Sequence, residues 1–186
     1  MKKLKLHSTT PTGFPLQQWA SAAIQWDHHS SIQINRAVHI QAIRRFFSII
    51  SKMGDGPLWT AAILCVPVFA DNGWTAMFQM SLMALLGLGI YKLIKHFTSR
   101  PRPFVQHREI TLGCPPLDQF SFPSGHTLHA VGLTTLFCYH FPTVGVLLVP
   151  FAALVALSRV ILGLHFVSDV LMGAGIGLSL ALLIIS

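Results

Sequence analysis

Acidic side chains are nearly missing from this sequence: Asp27, Asp55, Asp71, Glu109, Asp118 and Asp169 are the only carboxylates in 186 residues. Charged residues of both signs make up 10% of the chain, against roughly 25% in a soluble domain. So little charge cannot cover a water-facing surface, and much of the exterior is expected to face lipid. The scarcity of carboxylates also excludes a two-metal cage, which leans on several of them. Cys65, Cys114 and Cys138 show no CxxC spacing, so neither a zinc site nor a disulfide framework is indicated. The basic start Met1–Leu6 leads to Pro11 and Pro15 rather than to an apolar core, and a cleavable signal peptide is not expected there.

What the chain has instead is apolar length. Hydrophobic residues make up 52% of it, and five apolar runs lie at roughly 56–70, 73–95, 124–140, 143–161 and 164–185. Most approach the ~20 residues a helix needs to cross a bilayer. The expected fold is all-α, an integral membrane bundle of five to six transmembrane helices. Residues 1–32 read as a polar N-terminal segment and 33–186 as a single domain. Within 33–53, Ile40, Ile43, Phe47 and Ile50 give one apolar face beside Arg36, Arg44, Arg45 and Lys52. Adjacent arginines make spanning costly, so this segment is expected to lie at the interface as an amphipathic helix.

The net charge is +7, but basic residues do not alternate with stacking aromatics, and no nucleic-acid partner is expected. A bilayer surface and a phosphate-bearing ligand fit better. If the spans alternate, the proline-rich connection 96–123 and the ends of the spans that carry charge fall on one membrane face. Gly173 and Gly177 have GxxxG spacing; close packing inside the bundle is the modest reading, and a homodimer is not otherwise indicated.

Three segments meet on the charged face. Lys95 precedes Arg102-Pro103 by seven residues; Pro123-Ser124-Gly125-His126 opens an apolar run; Ser158-Arg159 is followed by His165 and Asp169. Lys95, Arg102 and Arg159 supply cations that can grip phosphate oxygens. Ser124 and Gly125 at a helix start make an anion site. His165 and Asp169 share a helix face, where a carboxylate holds one imidazole nitrogen as N–H and leaves the other free to attack. His126 remains to protonate a leaving oxygen. Taken together, these residues read as a complete in-line phosphoryl-transfer site that needs neither metal nor cofactor.

These segments resemble the three signature motifs of the type 2 phosphatidic acid phosphatase (PAP2) superfamily, K-x6-RP, PSGH and SR-x5-H-x3-D, over roughly 92–170. The resemblance implies a membrane lipid phosphatase. His165 would form a phosphohistidine, Asp169 would orient it, and His126 would act as general acid and then base. Lys95, Arg102, Ser124, Gly125 and Arg159 would bind the phosphate. The expected substrate is a bacterial envelope lipid, with undecaprenyl diphosphate placed first and phosphatidylglycerophosphate, phosphatidate and lipid A phosphates as alternatives. A vanadate-dependent haloperoxidase and a non-enzymatic lipid transporter are the rivals from other classes.

The expected location is the bacterial plasma membrane, multi-pass, with the site on the extracytoplasmic or periplasmic face. The positive-inside rule, counted over all basic residues, points to the other face; a sixth span at 33–53 would reconcile the two. Outside the motifs, Arg100 and Arg108 read as headgroup contacts or interface anchors, His129 and His140 as packed or snorkelling residues, His96 and His107 as solvated, and Asp27-His28-His29 as a polar segment.

Overall fold

The computed structural model describes residues 15–69 and 71–186, and these fold almost wholly into helices. They are α1 (Pro15–Asn35), a 3-10 turn (Arg36–His39), α2 (Gln41–Met53), α3 (Gly56–Phe69), α4 (Gly73–Thr98), the short α5 (Pro103–Gln106), α6 (Gly125–His140), α7 (Pro142–Ile161) and α8 (Val167–Ile185). Extended backbone pairs, among the described residues, only in one antiparallel bridge between Pro101 and Phe120. Each apolar run of the sequence forms one helix, and the all-α membrane architecture follows.

Helices α4, α7 and α8 are long and apolar enough to cross a bilayer. Their outward residues suit hydrocarbon: Leu64, Val68, Phe78, Leu85, Leu147 and Leu183, with those of α3 included, stand 63–77% exposed. Patches of that extent would aggregate in water and are stable against lipid.

Helix α6 has 16 residues and sits inside, packed on α8, α7 and α4. Leu128, Ala130, Leu133 and Leu136 on it have no exposed surface. Glycine makes this approach feasible. A Cβ on Gly177 would stand 2.2 Å from the Leu128 carbonyl oxygen, and one on Gly173 would stand 2.5 Å from that of Ser124. The GxxxG face therefore packs within the bundle, as its modest reading anticipated.

The N-terminal region differs from expectation. Residues 1–14 lie outside the described residues, but from Pro15 onward the segment read as polar is a 21-residue helix. The helix expected over 33–53 is broken at Arg36–His39, and its amphipathic part is the 13-residue α2. Apolar periodicity misses α1 because its docking face is polar: Asp27, Ser31 and Asn35, spaced by four, are at most 4% exposed. At 1.5 Å per residue α2 is about 20 Å long, shorter than the ~30 Å hydrocarbon core of a bilayer. Its Phe46, Ile49 and Met53 face outward beside exposed Arg44 and Arg45, as an interfacial helix requires.

Gly177→Leu is expected to cost about 3 kcal/mol or more through overpacking against α6. Gly175→Leu, where an added Cβ meets nothing within 4 Å, should be near neutral. Thermal unfolding of both variants in detergent checks the contrast.

Candidate active site

The turn between α7 and α8 positions His165. Gly163 takes φ +70°, a region other residues avoid, and a Cβ there would stand 2.8 Å from Ile110 Cγ2 and from the Thr111 oxygen. The Leu164 and His165 amides then both donate to the Arg159 carbonyl, at 3.0 and 3.1 Å. His165 is 1% exposed and Arg159 3%. The Arg159 Nη1 contacts Ser51 Oγ at the end of α2.

Lys95, in the last turns of α4, and Arg102, in the following loop, share Asp118. Lys95 Nζ donates to both carboxylate oxygens at 2.7 and 2.8 Å and to the Phe120 carbonyl at 3.0 Å. Arg102 Nη2 donates to Asp118 Oδ1 at 2.7 Å, its Nε to the Asp118 carbonyl and its Nη1 to the Leu164 carbonyl. Burial pulls the Asp118 carboxyl upward, but the bond to Lys95 and the charges of Lys95 and Arg102 outweigh it and hold the carboxyl below its usual range. Asp118 stays ionised and neutralises two buried cations.

Ser124 caps α6, accepting from the Thr127 amide at 3.4 Å, while its own amide donates to the Asp169 carbonyl at 3.0 Å. His126, two residues on, pairs through Nε2 with Asp55 Oδ1 at 2.5 Å.

Lys95, Arg102, Gly125, His126, Arg159 and His165 thus line one end of a cavity of about 310 Å³. Trp59 and Ile63 of α3 and Leu85 and Leu88 of α4 form its apolar walls. Burial first, then the charges of Arg159, Arg102, Lys95 and His126, push the His165 ring well below its ordinary pKa of 6.5. This holds the imidazole neutral, with Arg102 Nη1 standing 3.4 Å from its Nε2.

Asp169 departs from the expected pairing. Its Oδ2 lies 3.6 Å from His165 Nδ1, about half an ångström beyond hydrogen-bonding range, and that Nδ1 is buried without a partner. The carboxylate is engaged elsewhere: Oδ2 accepts from the Phe166 amide at 2.9 Å, and Oδ1 accepts from Arg100 Nη1 at 2.7 Å.

Arg100 is therefore not an interface anchor. It bridges Asp169 to Asp27 of α1 at 2.8 Å and lies 4.1 Å over the Phe166 ring. Asp27 also accepts from the Ser168 amide at 2.8 Å, and Ser31 Oγ from the Val167 amide at 3.1 Å. The open N–H groups at the start of α8 are closed by α1 and by Asp169. Asn35 completes the docking, bonding the Thr111 and Ile161 carbonyls at 2.9 and 2.8 Å.

His28 and His107 also pack behind the site, against Phe166 and each other, so His107 is not simply solvated. His129 is a packed residue, bonded to the Gly125 and Ala84 carbonyls. Among the described residues no group of three His, Cys, Asp or Glu side chains is arranged to hold a metal ion.

Six of the motif residues line this cavity, whereas Ser124, its hydroxyl against that of Thr127 at 3.0 Å, and Asp169, engaged with Arg100 and the Phe166 amide, are buried outside its lining. Asp27, Asp55, Arg100 and Asp118 belong with them and were not singled out from sequence. Their signal was available in part: in a chain with six carboxylates, each buried one needs a cationic or N–H partner.

The family model for the PAP2 superfamily matches residues 76–186, and the chain belongs to that superfamily. Among its relatives, phosphatidylglycerophosphatase B of Bacillus subtilis (strain 168) is 41% identical over 76 residues, 35% of this chain and 37% of that protein. Undecaprenyl-diphosphatase BcrC of the same organism is 38% identical over 87 residues, 47% of this chain and 45% of that protein. The chain thus aligns with less than half the length of either. The crystal structure of Aquifex aeolicus LpxE superposes with a TM-score of 0.76 at 25% identity, covering 84% of this chain and 93% of that one.

Arg100→Met leaves two buried carboxylates without their shared cation and should cost about 3 kcal/mol. Combined with Asp27→Asn, the losses should be less than additive by about 1 kcal/mol, because the two residues act as one unit. A double-mutant cycle of unfolding free energies measures this.

Proposed function

We propose that the chain removes phosphate from a lipid phosphate or diphosphate, without a metal, through a phosphohistidine on His165. One observation carries the reading: a neutral, buried histidine lies among Arg159, Arg102, Lys95 and His126 at the polar end of an otherwise apolar cavity. Nε2 of His165, on the side of Arg102, attacks phosphorus while His126 protonates the departing oxygen. Water then attacks the phosphohistidine, with His126 taking its proton. Asp169 holds Nδ1–H once the 3.6 Å gap closes. Lys95, Arg102 and Arg159, with Ser124 and Gly125, balance the charge that builds on the phosphoryl oxygens, the largest catalytic effect expected here.

An incoming phosphate exchanges with Asp118 for Lys95 and Arg102; the Asp118 side chain is 40% exposed and sits on a loop. The lipid tail takes the apolar part of the cavity between α3 and α4. We treat the described chain, α1 included, as one catalytic unit.

Undecaprenyl diphosphate is placed first as substrate, supported by the 87-residue match to the diphosphatase. Phosphatidylglycerophosphate is the second reading, supported by the higher identity, 41%, to the phosphatidylglycerophosphatase. The site is assigned to the extracytoplasmic face of the plasma membrane. Lys95, Arg102 and Arg159 are discounted from the positive-inside count because phosphate binding accounts for them. In a background without the native cysteines, access of a membrane-impermeant thiol reagent to a cysteine at the exposed position 109, and not to one at 186, is the expected result in intact cells.

His165→Ala should abolish phosphate release from every member of a panel of undecaprenyl diphosphate, phosphatidylglycerophosphate and phosphatidate. Wild-type turnover should survive excess chelator and be inhibited by orthovanadate, a transition-state mimic. Magnesium-reversible loss of activity in chelator would overturn the metal-free mechanism, and full activity in His165→Ala would overturn the nucleophile.

The lowered pKa of His165 also fixes a sign. The ring stays unprotonated as pH falls through 6.5, so the nucleophile's acid limb in kcat/KM should lie below that value. Over the same window the folded state binds fewer protons than the unfolded chain, and stability should fall with falling pH. A pH series of initial rates and unfolding midpoints reads both.

A further inference from the structure

We propose that Asp55 is the positioning residue of His126, forming with it a second carboxylate–imidazole pair in the active site. The inference rests on the reading of His126 as proton donor and extends it to a residue outside all three motifs.

Asp55 lies in the turn Gly54-Asp55-Gly56 between the interfacial helix α2 and the short helix α3. The turn is pressed onto α7: a Cβ on Gly54 would stand 2.9 and 3.0 Å from the two Val155 methyl groups. One helical turn earlier Ser51 contacts Arg159. The end of α2 therefore delivers two groups to the site together, a hydroxyl to the arginine and a carboxylate to the histidine. Both Asp55 and His126 line the cavity, and their side chains are 31% and 13% exposed. Nε2 of His126 and Oδ1 of Asp55 stand 2.5 Å apart, in direct hydrogen-bonding contact.

Asp27, Asp118 and Asp169 pair with Lys or Arg, whereas the partner of Asp55 is an imidazole. The hydrogen bond to His126 holds the Asp55 carboxyl below its usual range, so it is ionised when the reaction runs.

The chemistry needs such a partner. To act as an acid, His126 must carry a proton on both ring nitrogens beside the Arg159 and Lys95 charges. Asp55 fixes Nε2–H, compensates the imidazolium charge and leaves Nδ1–H for the substrate. In the first step the His165 lone pair forms the N–P bond, the bond from phosphorus to the leaving oxygen breaks, and that oxygen takes the Nδ1 proton. In the second, water oxygen bonds phosphorus, Nδ1 recovers a proton from the water, and the N–P electron pair returns to His165.

A merely structural role for Asp55 would slow all substrates alike. A positioning role slows those whose leaving oxygen needs protonation. The test compares wild type, Asp55→Asn and His126→Ala in detergent on two substrates, dioctanoyl phosphatidate with an alkoxide leaving group and p-nitrophenyl phosphate with a stabilised phenolate. Asp55→Asn is expected to lose roughly 100-fold in kcat on the phosphatidate and under about 5-fold on the aryl ester, within the span of general acid catalysis.

Equal losses on both substrates, or no loss on the phosphatidate, would overturn the proposal. If His126→Ala itself fails to discriminate between them, the acid role of His126 falls and the proposal with it. If His126→Ala discriminates and Asp55→Asn does not, only the role of Asp55 falls. Asp55→Ser, smaller and uncharged, gives the same comparison should the asparagine variant not fold.

Discussion

Buried positive charge is the constraint around which this bundle is arranged. Lys95, Arg102 and Arg159 are all at most 6% exposed, at one end of a structure whose sides face hydrocarbon. Removing such ions from water costs several kcal/mol each unless partners replace the lost hydration. Asp118 serves two of them, and Arg159 has the Ser51 hydroxyl and the nearby Asp55 charge. Arg100 forms a separate unit behind, clamped between Asp27 and Asp169. Half of the architecture follows from these pairings: α1 docks by Asp27, α2 ends at Ser51, and the long loop folds back to bring in Asp118.

The same pairings give the two histidines different surroundings. His165, buried among cations and held by backbone bonds to Arg159, is kept neutral. His126 has a carboxylate at 2.5 Å. The carboxylates are placed unequally: one imidazole stands among cations with its nearest carboxylate at 3.6 Å, and the other stands directly against Asp55.

The motifs were legible in the sequence because they combine residue types that apolar runs otherwise exclude, and hydropathy placed the helices that carry them. The N-terminal third was not. Helix α1 docks by Asp27, Ser31 and Asn35, so its buried stripe looks like solvent-exposed polarity, and Arg100 looks like a lipid anchor until Asp27 and Asp169 stand beside it. Asp55 and Asp118 were hidden differently. Asp55 lies 71 residues from His126, and Asp118 lies 23 from Lys95 and 16 from Arg102, so no local spacing connects them. The Asp169–His165 spacing was right, yet the competing bonds of Arg100 and the Phe166 amide could not be read from an i,i+4 interval.

The interior position of α6 bears on how the chain enters the membrane. With Thr127, His129, Gly132, Thr134 and Thr135 along its 16 residues, α6 is a poor candidate for partitioning into lipid by itself. It is separated from the strongly apolar α7 by one residue, Phe141. Insertion of the two as one helical hairpin would let α7 supply the hydrophobic free energy and carry α6 in beside it. In that case the apolar strength of α7 would bound how polar the helix that starts after Ser124 and bears His126 can become.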